Sequence, residues 1–271
     1  MKKKPQIGIL GCGWLGKATA KILIAEGYNV KGSTTSVKGS DTLKTLGIEP
    51  YVIELKTELQ TENLDQFLLS LNVLVIAIPP RMSENELVLL EALKLMFKNY
   101  DFSGIQKLIY VSSTGVFKDD INAVYDEDSK PNNSSERGKY LRALEGLILN
   151  QHSMTQAKIL RYGGLIKTGG RHPAHYLKDK KNVANPEAPI NLIEQSDAAN
   201  LLCKIIESSS QLKIYHGVNP SHPNRKEYYT TKAKALQINP PEFSIGKVSL
   251  GKTILSEKTQ ADLNFEYKSS I

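Results

Sequence analysis

The sequence Gly11-Cys12-Gly13-Trp14-Leu15-Gly16 follows an apolar run at residues 7–10 and opens a helix-like stretch that reaches Glu26. Three glycines at this spacing, between a strand and a helix, are typical of a turn that holds a dinucleotide. The first takes the tight turn, the second lets the backbone approach a pyrophosphate, and the third brings helix and strand together. The positive end of the helix dipole then faces the anion. We therefore assign the predicted cofactor site to Gly11, Cys12, Gly13, Trp14, Leu15 and Gly16.

The alternative is a purely structural glycine turn. Against it, apolar residues recur at helical spacing behind the turn, at Leu15, Ala18, Ile22 and Ala25. A second strand is predicted directly afterwards, at residues 29–33. A strand, a glycine turn, a helix and a second strand together form the first unit of a dinucleotide-binding fold, so this context favours cofactor binding.

Strand-like and helix-like runs alternate over about the first 160 residues. The alternation predicts an α/β fold with a doubly wound parallel sheet, the Rossmann architecture. The next predicted strands are residues 50–55, 73–78, 107–111 and 157–162, and the predicted helices are residues 41–46, 63–70, 84–100 and 136–151. Pro79 and Pro80 stop the strand at 73–78, which places Ile78, Pro79 and Pro80 at the carboxyl edge, where such sheets bind ligands.

The end of the second strand carries information about the cofactor. An NAD site usually has Asp or Glu here, about 20 residues after the first glycine, to bind the ribose 2′-hydroxyl. This sequence has Ser33, Thr34, Thr35 and Ser36, with Lys38 close by. Hydroxyls and a lysine can hold a 2′-phosphate that a carboxylate would repel. We therefore expect NADP, with NAD as the alternative, bound in part by Ser33, Thr34 and Thr35; an ordinary polar turn is the other interpretation.

The alternation loosens after Tyr162, where glycine pairs and prolines punctuate a loop-rich region. Strands are predicted at residues 188–193 and 213–218, and helices at 196–208 and 225–236. We expect residues 1–163 to form the NAD(P)-binding domain, with residues 191–218 rejoining it. Residues 164–190 and 219–271 are expected to form a small C-terminal lobe that covers the substrate.

Composition narrows the possible partners. The chain has 271 residues, 40% of them hydrophobic, and its 35 Lys and Arg exceed its 28 Asp and Glu to give a net charge of +7. The basic residues are scattered and no aromatic-interleaved basic stripe accompanies them, so we expect no binding to nucleic acid and a weak field that favours phosphorylated ligands.

The two cysteines, Cys12 and Cys203, form neither a C-x-x-C motif nor a metal-ligand spacing. This usage predicts no metal site and fits a reducing cytoplasm. No apolar run of about 18 residues occurs, and the N-terminal apolar run is too short for a signal peptide. We therefore expect neither export nor contact with a membrane.

The stretch Tyr110-Val111-Ser112-Ser113-Thr114-Gly115-Val116-Phe117 follows the predicted strand at 107–111. It resembles the end of the fifth strand in the extended short-chain dehydrogenase/reductase family, where a serine pair precedes a Val-Tyr-Gly turn. The resemblance implies that the second serine, Ser113 here, binds the reacting hydroxyl or carbonyl of the substrate. We place Ser112 at the cofactor. Phe117 stands where the family has tyrosine.

The next helix departs from the same family. There the family carries a Tyr-x-x-x-Lys pair, in which the tyrosine is the acid/base and the lysine lowers its pKa and binds the nicotinamide ribose. Aligned through Leu144-Glu145, the tyrosine position falls on Arg137 and the lysine position on Leu141. Two later Tyr-x-x-x-Lys matches do not follow the fifth strand and are interpreted as chance spacing. The resemblance thus implies an atypical site with Ser113 and Arg137 as candidate catalytic residues.

Further motifs narrow the resemblance to an atypical branch, the YeeZ-like proteins, over nearly the whole chain. They are the Cys and Trp of the glycine stretch, Ile78-Pro79-Pro80, Arg137-Gly138, Arg161-Tyr162-Gly163-Gly164, Asn191-Leu192-Ile193 with Asp197, and Arg225-Lys226-Glu227-Tyr228-Tyr229. The branch is described as similar to NAD-dependent epimerases and dehydratases of nucleotide sugars. Glu194 replaces the histidine that the family usually has before the Asp197 position, so substrate contacts do not transfer directly.

Arg171 and His172 follow Gly169-Gly170, where the family turns over its substrate, and are the candidate substrate residues; ordinary surface-loop residues are the alternative. Two functions are compatible with these motifs. One is an NAD(P)-dependent oxidoreductase or epimerase-like enzyme acting on a small molecule such as a nucleotide sugar. The other is a dinucleotide-binding sensor or regulatory protein without catalysis. Fold alone does not separate them, and the sequence leaves the oligomeric state open.

Overall fold

Short apolar runs form the centre of the sheet. The run Val73–Ile76 is buried at every position, and the strand Lys107–Ser113 is buried over its first four residues. Strands that are buried on both faces belong in the middle of a parallel sheet with helices on each side. The structure is a computed structural model that describes residues 4–55, 61–79, 88–151, 156–246 and 248–271.

Strands and helices alternate through most of the described chain. The strands are β1 (Gln6–Leu10), β2 (Asn29–Thr34), β3 (Glu49–Val52), β4 (Val73–Ile76), β5 (Lys107–Ser113), β6 (Ala123–Tyr125), β7 (Gln156–Tyr162), β8 (Gly164–Ile166), β9 (Leu192–Glu194), β10 (Ile214–Gly217) and β11 (Lys252–Ile254). The helices are α1 (Trp14–Ala25), α2 (Val37–Thr45), α3 (Thr61–Leu68), α4 (Val88–Asn99), α5 (Glu136–Leu149), α6 (Ala174–Leu177), α7 (Gln195–Glu207), α8 (Arg225–Ala235) and α9 (Glu257–Leu263). A 3₁₀ turn at Thr114–Val116 follows β5.

One parallel sheet contains seven of these strands in the order β10-β7-β5-β4-β1-β2-β3. The chain first builds β1, β2 and β3 towards one edge, then returns to place β4 on the other side of β1 and continues towards β10. The direction of winding therefore changes between β1 and β4. In open parallel sheets the crevice at this point, outside the carboxyl ends of the strands, is where ligands bind.

Helices cover both faces of the sheet. On one face, α1 and α7 pack against each other and bury apolar residues of β1, β5 and β7 in a single core. On the other face, α3, α4 and α5 bury the alternate residues of the same strands in a second core. Because both faces are covered, the sheet is doubly wound, and the predicted α/β Rossmann fold is confirmed.

The C-terminal part adds smaller elements. Strand β10 joins the main sheet beside β7, whereas β9 pairs with β8 in a separate two-stranded sheet. The strand predicted at residues 188–193 is observed only at Leu192–Glu194, because the segment before it pairs elsewhere, with an isolated antiparallel bridge between Pro189 and Asn224. The short pairs β6 with β11 and β8 with β9 were not predicted. The proposed division into a domain and a lobe stays a prediction.

Several element boundaries differ from the predicted ones. Strand β4 ends at Ile76, two residues early, and β5 continues to Ser113. Helix α2 begins at Val37, where the hydroxyl of Ser36 caps it. Pro80 and residues 84–87 of the predicted helix at 84–100 lie outside the described residues. No helix of the described chain is long and apolar enough to cross a membrane.

Candidate functional site

The glycine turn is fixed to the end of the neighbouring strand β2. Ser33 accepts two hydrogen bonds from it: the side-chain Oγ from the amide of Gly11 at 2.7 Å, and the carbonyl oxygen from the amide of Cys12 at 2.8 Å. The amide of Gly13 donates to the carbonyl of Gly11 at 2.7 Å. The turn is therefore held at the carboxyl edge by β2. Ser33 serves the turn itself, and its contact with a cofactor stays a prediction.

The three glycines of the turn are needed for different reasons. Gly11 has a φ of +89°, and a Cβ there would lie 2.7 Å from Cγ1 of Ile78, so only glycine fits. A Cβ on Gly16 would lie 3.1 Å from Cγ2 of Ile9 on the strand beneath the helix. Gly13 differs, because its φ is −82° and its Cβ would meet only the Gly11 carbonyl oxygen, at 3.9 Å. Within the described residues, the space above Gly13 is open.

The N-terminus of α1 has no side-chain cap, because its N-cap residue is Gly13. Helices α2, α5 and α8 are capped instead by Ser36, Ser135 and Asn224, whose oxygens accept hydrogen bonds from amides of the first turn. The first turn of α1 also contains no acidic residue. Its amides and the positive end of its dipole are therefore available to an anion.

The end of β2 and the start of α2 lie beside this turn. The hydroxyl of Ser36 accepts from the amide of Gly39 at 3.1 Å, so it serves as a cap. Thr35 and Lys38 are exposed, and Thr34 is half-buried. The hydroxyls of Ser33 and Ser36, which belong to the run predicted to hold a 2′-phosphate, thus have partners within the protein. Thr34, Thr35 and Lys38 remain as the groups that could bind the phosphate.

Ile78 and Pro79 border the turn from the neighbouring strand. Ile78 is half-buried beside Gly11, and Pro79 is exposed just after β4. Pro80, which was assigned to the cofactor with them, lies outside the described residues. The described pair lies at the winding change between β1 and β4, as expected for residues at the ligand-binding edge.

A buried ion pair joins the next two strands to α5. Glu145 and Arg161 are only 4% and 3% exposed, and the Nε and Nη2 of Arg161 donate to the two carboxylate oxygens of Glu145 at 3.0 and 2.8 Å. The hydroxyl of Ser112 donates to the same carboxylate at 2.6 Å. Ser112 therefore faces α5, on the opposite side of the strand from Ser113. Its predicted contact with a cofactor stays a prediction.

His216 of β10 lies beside Arg161 of β7 in the register of the sheet. Its Nδ1 lies 2.9 Å from the carbonyl oxygen of Leu255, which can only accept, so Nδ1 carries the proton. Burial lowers the pKa of His216 to about 4, and the ring is therefore neutral near neutral pH. A second cation next to the buried arginine is thereby avoided.

Sequence reasoning used Glu145 and Arg161 only as alignment landmarks and missed their pairing. The available signal was an arginine inside the apolar strand 157–162 and a glutamate on the apolar side of the helix 136–151. Charged residues at such positions are almost never fully buried unless they are paired.

The candidate catalytic residues Ser113 and Arg137 lie on two sides of Gly115. Oγ of Ser113 accepts from the amide of Gly115 at 3.1 Å, which leaves its own proton free to be donated. A Cβ on Gly115 would lie 3.4 Å from Ser113 Oγ and 3.9 Å from Arg137 Nε. Arg137 is the second residue of α5 and is exposed. The structure thus brings the two residues to one turn at the carboxyl end of β5.

Leu141, which the sequence resemblance aligned with a lysine, faces the protein interior. It is fully buried and packs with Val116, Phe117 and Val218. A side chain in this cluster provides apolar packing and no charge. Position 141 of α5 therefore carries no ammonium group that could contact a ligand.

Arg171 and His172 lie in different environments although they are adjacent. His172 is buried; its Nδ1 accepts from the amide of Ala174 at 3.1 Å and its Nε2 lies 2.9 Å from the hydroxyl of Tyr228. Both ring nitrogens therefore have partners within the protein. Arg171 is exposed, and its guanidinium lies over the ring of Trp14 at 5.6 Å from the centroid. The predicted role of both residues in substrate binding stays a prediction.

Two residues at the start of α7 support Trp14 and the loop after β8, a role that was not predicted from the sequence. Nε2 of Gln195 donates to the carbonyl oxygen of Trp14 at 3.0 Å. The carboxylate of Glu194 accepts from the amides of Thr168 at 3.0 Å and Ser196 at 2.7 Å. Glu194, which the sequence resemblance aligned with a histidine, is therefore a structural anchor between α7 and the loop after β8.

Cys12 lies inside the glycine turn and is buried. Burial raises the pKa of its thiol to about 12, so the thiolate is not formed near neutral pH. The side chain fills space next to Gly16 and Gly32. In the part of the chain that the structure describes, no three His, Cys, Asp or Glu side chains are grouped as metal ligands.

Comparison with known proteins identifies relatives of this chain. No protein-family model matches it. It is 31% identical over 273 aligned positions to protein YeeZ of Escherichia coli K12, covering 99% of this chain and 96% of YeeZ, and the match to YeeZ of Escherichia coli O157:H7 has the same values.

Solved structures share the fold at lower identity. MoeE5 in complex with UDP-glucose and NAD superposes with a TM-score of 0.78 and 15% identity, covering 99% of this chain and 95% of MoeE5. UDP-glucuronic acid 4-epimerase from Bacillus cereus, in complex with NAD, superposes with a TM-score of 0.78 and 14% identity. The match covers 98% of this chain and 94% of the epimerase. At these identities the comparison establishes the fold alone.

We predict that Glu145→Gln costs about 3–5 kcal/mol of unfolding free energy, because it leaves the buried Arg161 cation without its counter-charge. Urea denaturation measures the effect. The matched control is Glu136→Gln on the same helix, whose ion pair with Lys139 is exposed and is expected to contribute at most about 1 kcal/mol. Equal losses for the two variants would contradict the assigned importance of the buried pair.

Proposed function

The chain belongs to the YeeZ family, and we propose that it binds a nicotinamide dinucleotide along the carboxyl ends of β1, β2, β4 and β5. We further propose NADP as the preferred form, with NAD as the alternative. The activity that we propose is an atypical oxidoreductase or epimerase-like reaction on a small carbonyl compound or a nucleotide sugar.

The open space above Gly13 supports this proposal most directly. Neither its φ nor a clash with the described residues requires glycine there, in contrast to Gly11 and Gly16. A glycine with open space above it, next to an uncapped helix N-terminus, is what close approach of a pyrophosphate requires. Structures with this fold have been solved with NAD, and MoeE5 with UDP-glucose, which agrees with the proposed ligand classes.

The chemistry assigned to the chain's own residues follows from their donors. A bound nicotinamide would supply hydride transfer. The proton of Ser113 is free to be donated to a carbonyl or hydroxyl oxygen of the substrate, because its Oγ already accepts from Gly115. Arg137 remains protonated and therefore does not act as a general base. It can stabilise an oxyanion or a carboxylate, while water or a substrate group carries the proton.

The second candidate function is a dinucleotide-binding sensor without catalysis. The burial of Leu141 among apolar side chains favours it, because position 141 then supplies no lysine to bind the nicotinamide ribose and activate an acid/base. Dinucleotide binding is common to both candidates. Turnover separates them.

We predict that Gly13→Val abolishes dinucleotide binding and leaves the fold intact, since the added side chain occupies the space proposed for the ligand. Titration of NADPH by calorimetry, together with thermal unfolding, measures both effects. Gly146→Ala is the matched control, because a Cβ on Gly146 of α5 also meets no described atom within 4 Å. Wild-type affinity in folded Gly13→Val would refute the site.

For the cofactor form, we predict tighter binding of NADPH than of NADH. Lys38→Ala should lower the NADPH affinity about 10-fold or more and leave NADH unchanged, because the 2′-phosphate loses a charged hydrogen bond of about 1.5–3 kcal/mol. Lys44→Ala, exposed in the last turn of the same helix, is the control. If wild type binds both dinucleotides equally, the NADP preference is wrong.

For catalysis, we predict weak turnover or none on UDP- and dTDP-sugars with either cofactor, since positioned acid/base help is typically worth about 10²–10⁴-fold. Any activity should fall in both Ser113→Ala and Arg137→Ala. Robust turnover, in the usual range of about 1–10³ s⁻¹, that survives Arg137→Ala would show that another residue acts as the acid/base. Dinucleotide binding without turnover on any such sugar would favour the sensor.

A further inference from the structure

The loop that carries Arg171 is a hydrogen-bonded turn. The amide of Lys167 donates to the carbonyl of Arg171 at 2.8 Å, and the amide of Gly170 donates to the carbonyl of Lys167 at 3.0 Å. Gly169 takes the left-handed conformation that the turn needs, with a φ of +71°. Glu194 holds the amide of Thr168 from the outside. These hydrogen bonds fix the backbone of the turn from Lys167 to Arg171.

Trp14 is anchored to the same corner of the molecule. Its carbonyl oxygen accepts from Gln195, the residue that follows Glu194. Glu194 thus holds Thr168 in the loop that carries Arg171, and the next residue, Gln195, holds Trp14, the ring on which Arg171 stacks. The contact is more than a chance approach of an exposed side chain.

The guanidinium of Arg171 is free to bind an anion. A guanidinium that stacks on a ring uses its face, and its N–H donors at the edge stay available. Within the described residues, the structure gives Arg171 neither a carboxylate partner nor a hydrogen-bond acceptor for its side chain. Trp14 is the first residue of α1, directly after Gly13, and its amide is one of the uncapped amides of that helix. An arginine on this ring therefore lies at the end of β1.

We propose that Arg171 binds the pyrophosphate of the dinucleotide and closes the site over the glycine turn from the side of the C-terminal elements. This inference rests on the proposed function and moves Arg171 from the substrate to the cofactor. Substrate chemistry is expected at Ser113, beyond β5, whereas Trp14 follows β1, and β4 separates these two strands in the sheet. The stacked position therefore favours the cofactor's phosphates over those of a substrate.

Trp14 is the single tryptophan of the chain, so its fluorescence reports on this contact directly. We would titrate NADPH, NADH and ADP-ribose, which keeps the pyrophosphate but lacks nicotinamide. Arg171→Ala should weaken all three ligands about 10- to 100-fold, the range expected for a charged hydrogen bond. Arg171→Lys should fall between wild type and Arg171→Ala, since it keeps the charge and loses the fork.

Two further measurements separate binding from a structural role. Because an ion pair is screened by salt, the salt dependence of ADP-ribose affinity should be shallower in Arg171→Ala than in wild type. Lys178→Ala, which removes an equal charge from an exposed position shortly after the turn, should leave all affinities unchanged. Thermal unfolding of each variant checks that it is folded.

The outcomes distinguish this inference from the proposed function. If Arg171→Ala binds all three ligands like wild type while Gly13→Val does not bind, the inference fails and the cofactor site stands. Loss of UDP-sugar binding alone in Arg171→Ala would return Arg171 to the substrate. If wild type binds no dinucleotide, the proposed function fails and this inference fails with it.

Discussion

The buried ion pair between Glu145 and Arg161 is the constraint on which the end of the candidate site at β5 and α5 depends. Two charges removed from water are tolerated only if they are paired in good geometry. The bidentate contact, with Ser112 donating to the same carboxylate, meets this condition, although Nη1 of Arg161 has no hydrogen-bond partner among the described residues. It joins α5, β5 and β7 at one point, so the turn that carries Ser113 and the helix start that carries Arg137 cannot move independently. A neutral His216 extends the same row without adding charge.

The glycine turn was predictable from sequence because its requirements are local. The φ of Gly11 and the close packing of Gly16 follow from a strand, a turn and a helix in direct succession. The doubly wound parallel sheet followed from the alternation of elements, whereas the order of its strands came from the structure. What sequence reasoning missed depends on contacts between distant segments: Glu145 with Arg161, and Trp14 with Arg171. Neither pair has a fixed spacing in the chain, so periodicity carries no information about it.

The serine hydroxyls near the proposed cofactor site show the same limit of prediction from sequence. Ser33 and Ser36 belong to the run that suggested a 2′-phosphate site, yet one holds the glycine turn and the other caps α2. Ser112 belongs to a serine pair, yet the alternation of a strand turns it towards Glu145, away from the side that Ser113 faces. A hydroxyl serves a ligand or the fold according to what lies within reach of it. The identity of the residue alone leaves both open.

In the proposed site, Arg137 and Leu141 take the places of a tyrosine and a lysine, and this difference changes what such a site selects. A tyrosine whose pKa is lowered exchanges a proton with the substrate, whereas an arginine holds its charge throughout the reaction. Cationic side chains lie at three points along the carboxyl edge of the sheet. They are Lys38 beside β2, Arg171 over the first turn of α1, and Arg137 beside the turn after β5. The first two fit the phosphates of the proposed dinucleotide. The third, Arg137, faces the position proposed for the substrate. A fixed cation there favours a substrate or transition state that carries negative charge. This requirement restricts the substrate more strongly than the fold itself does.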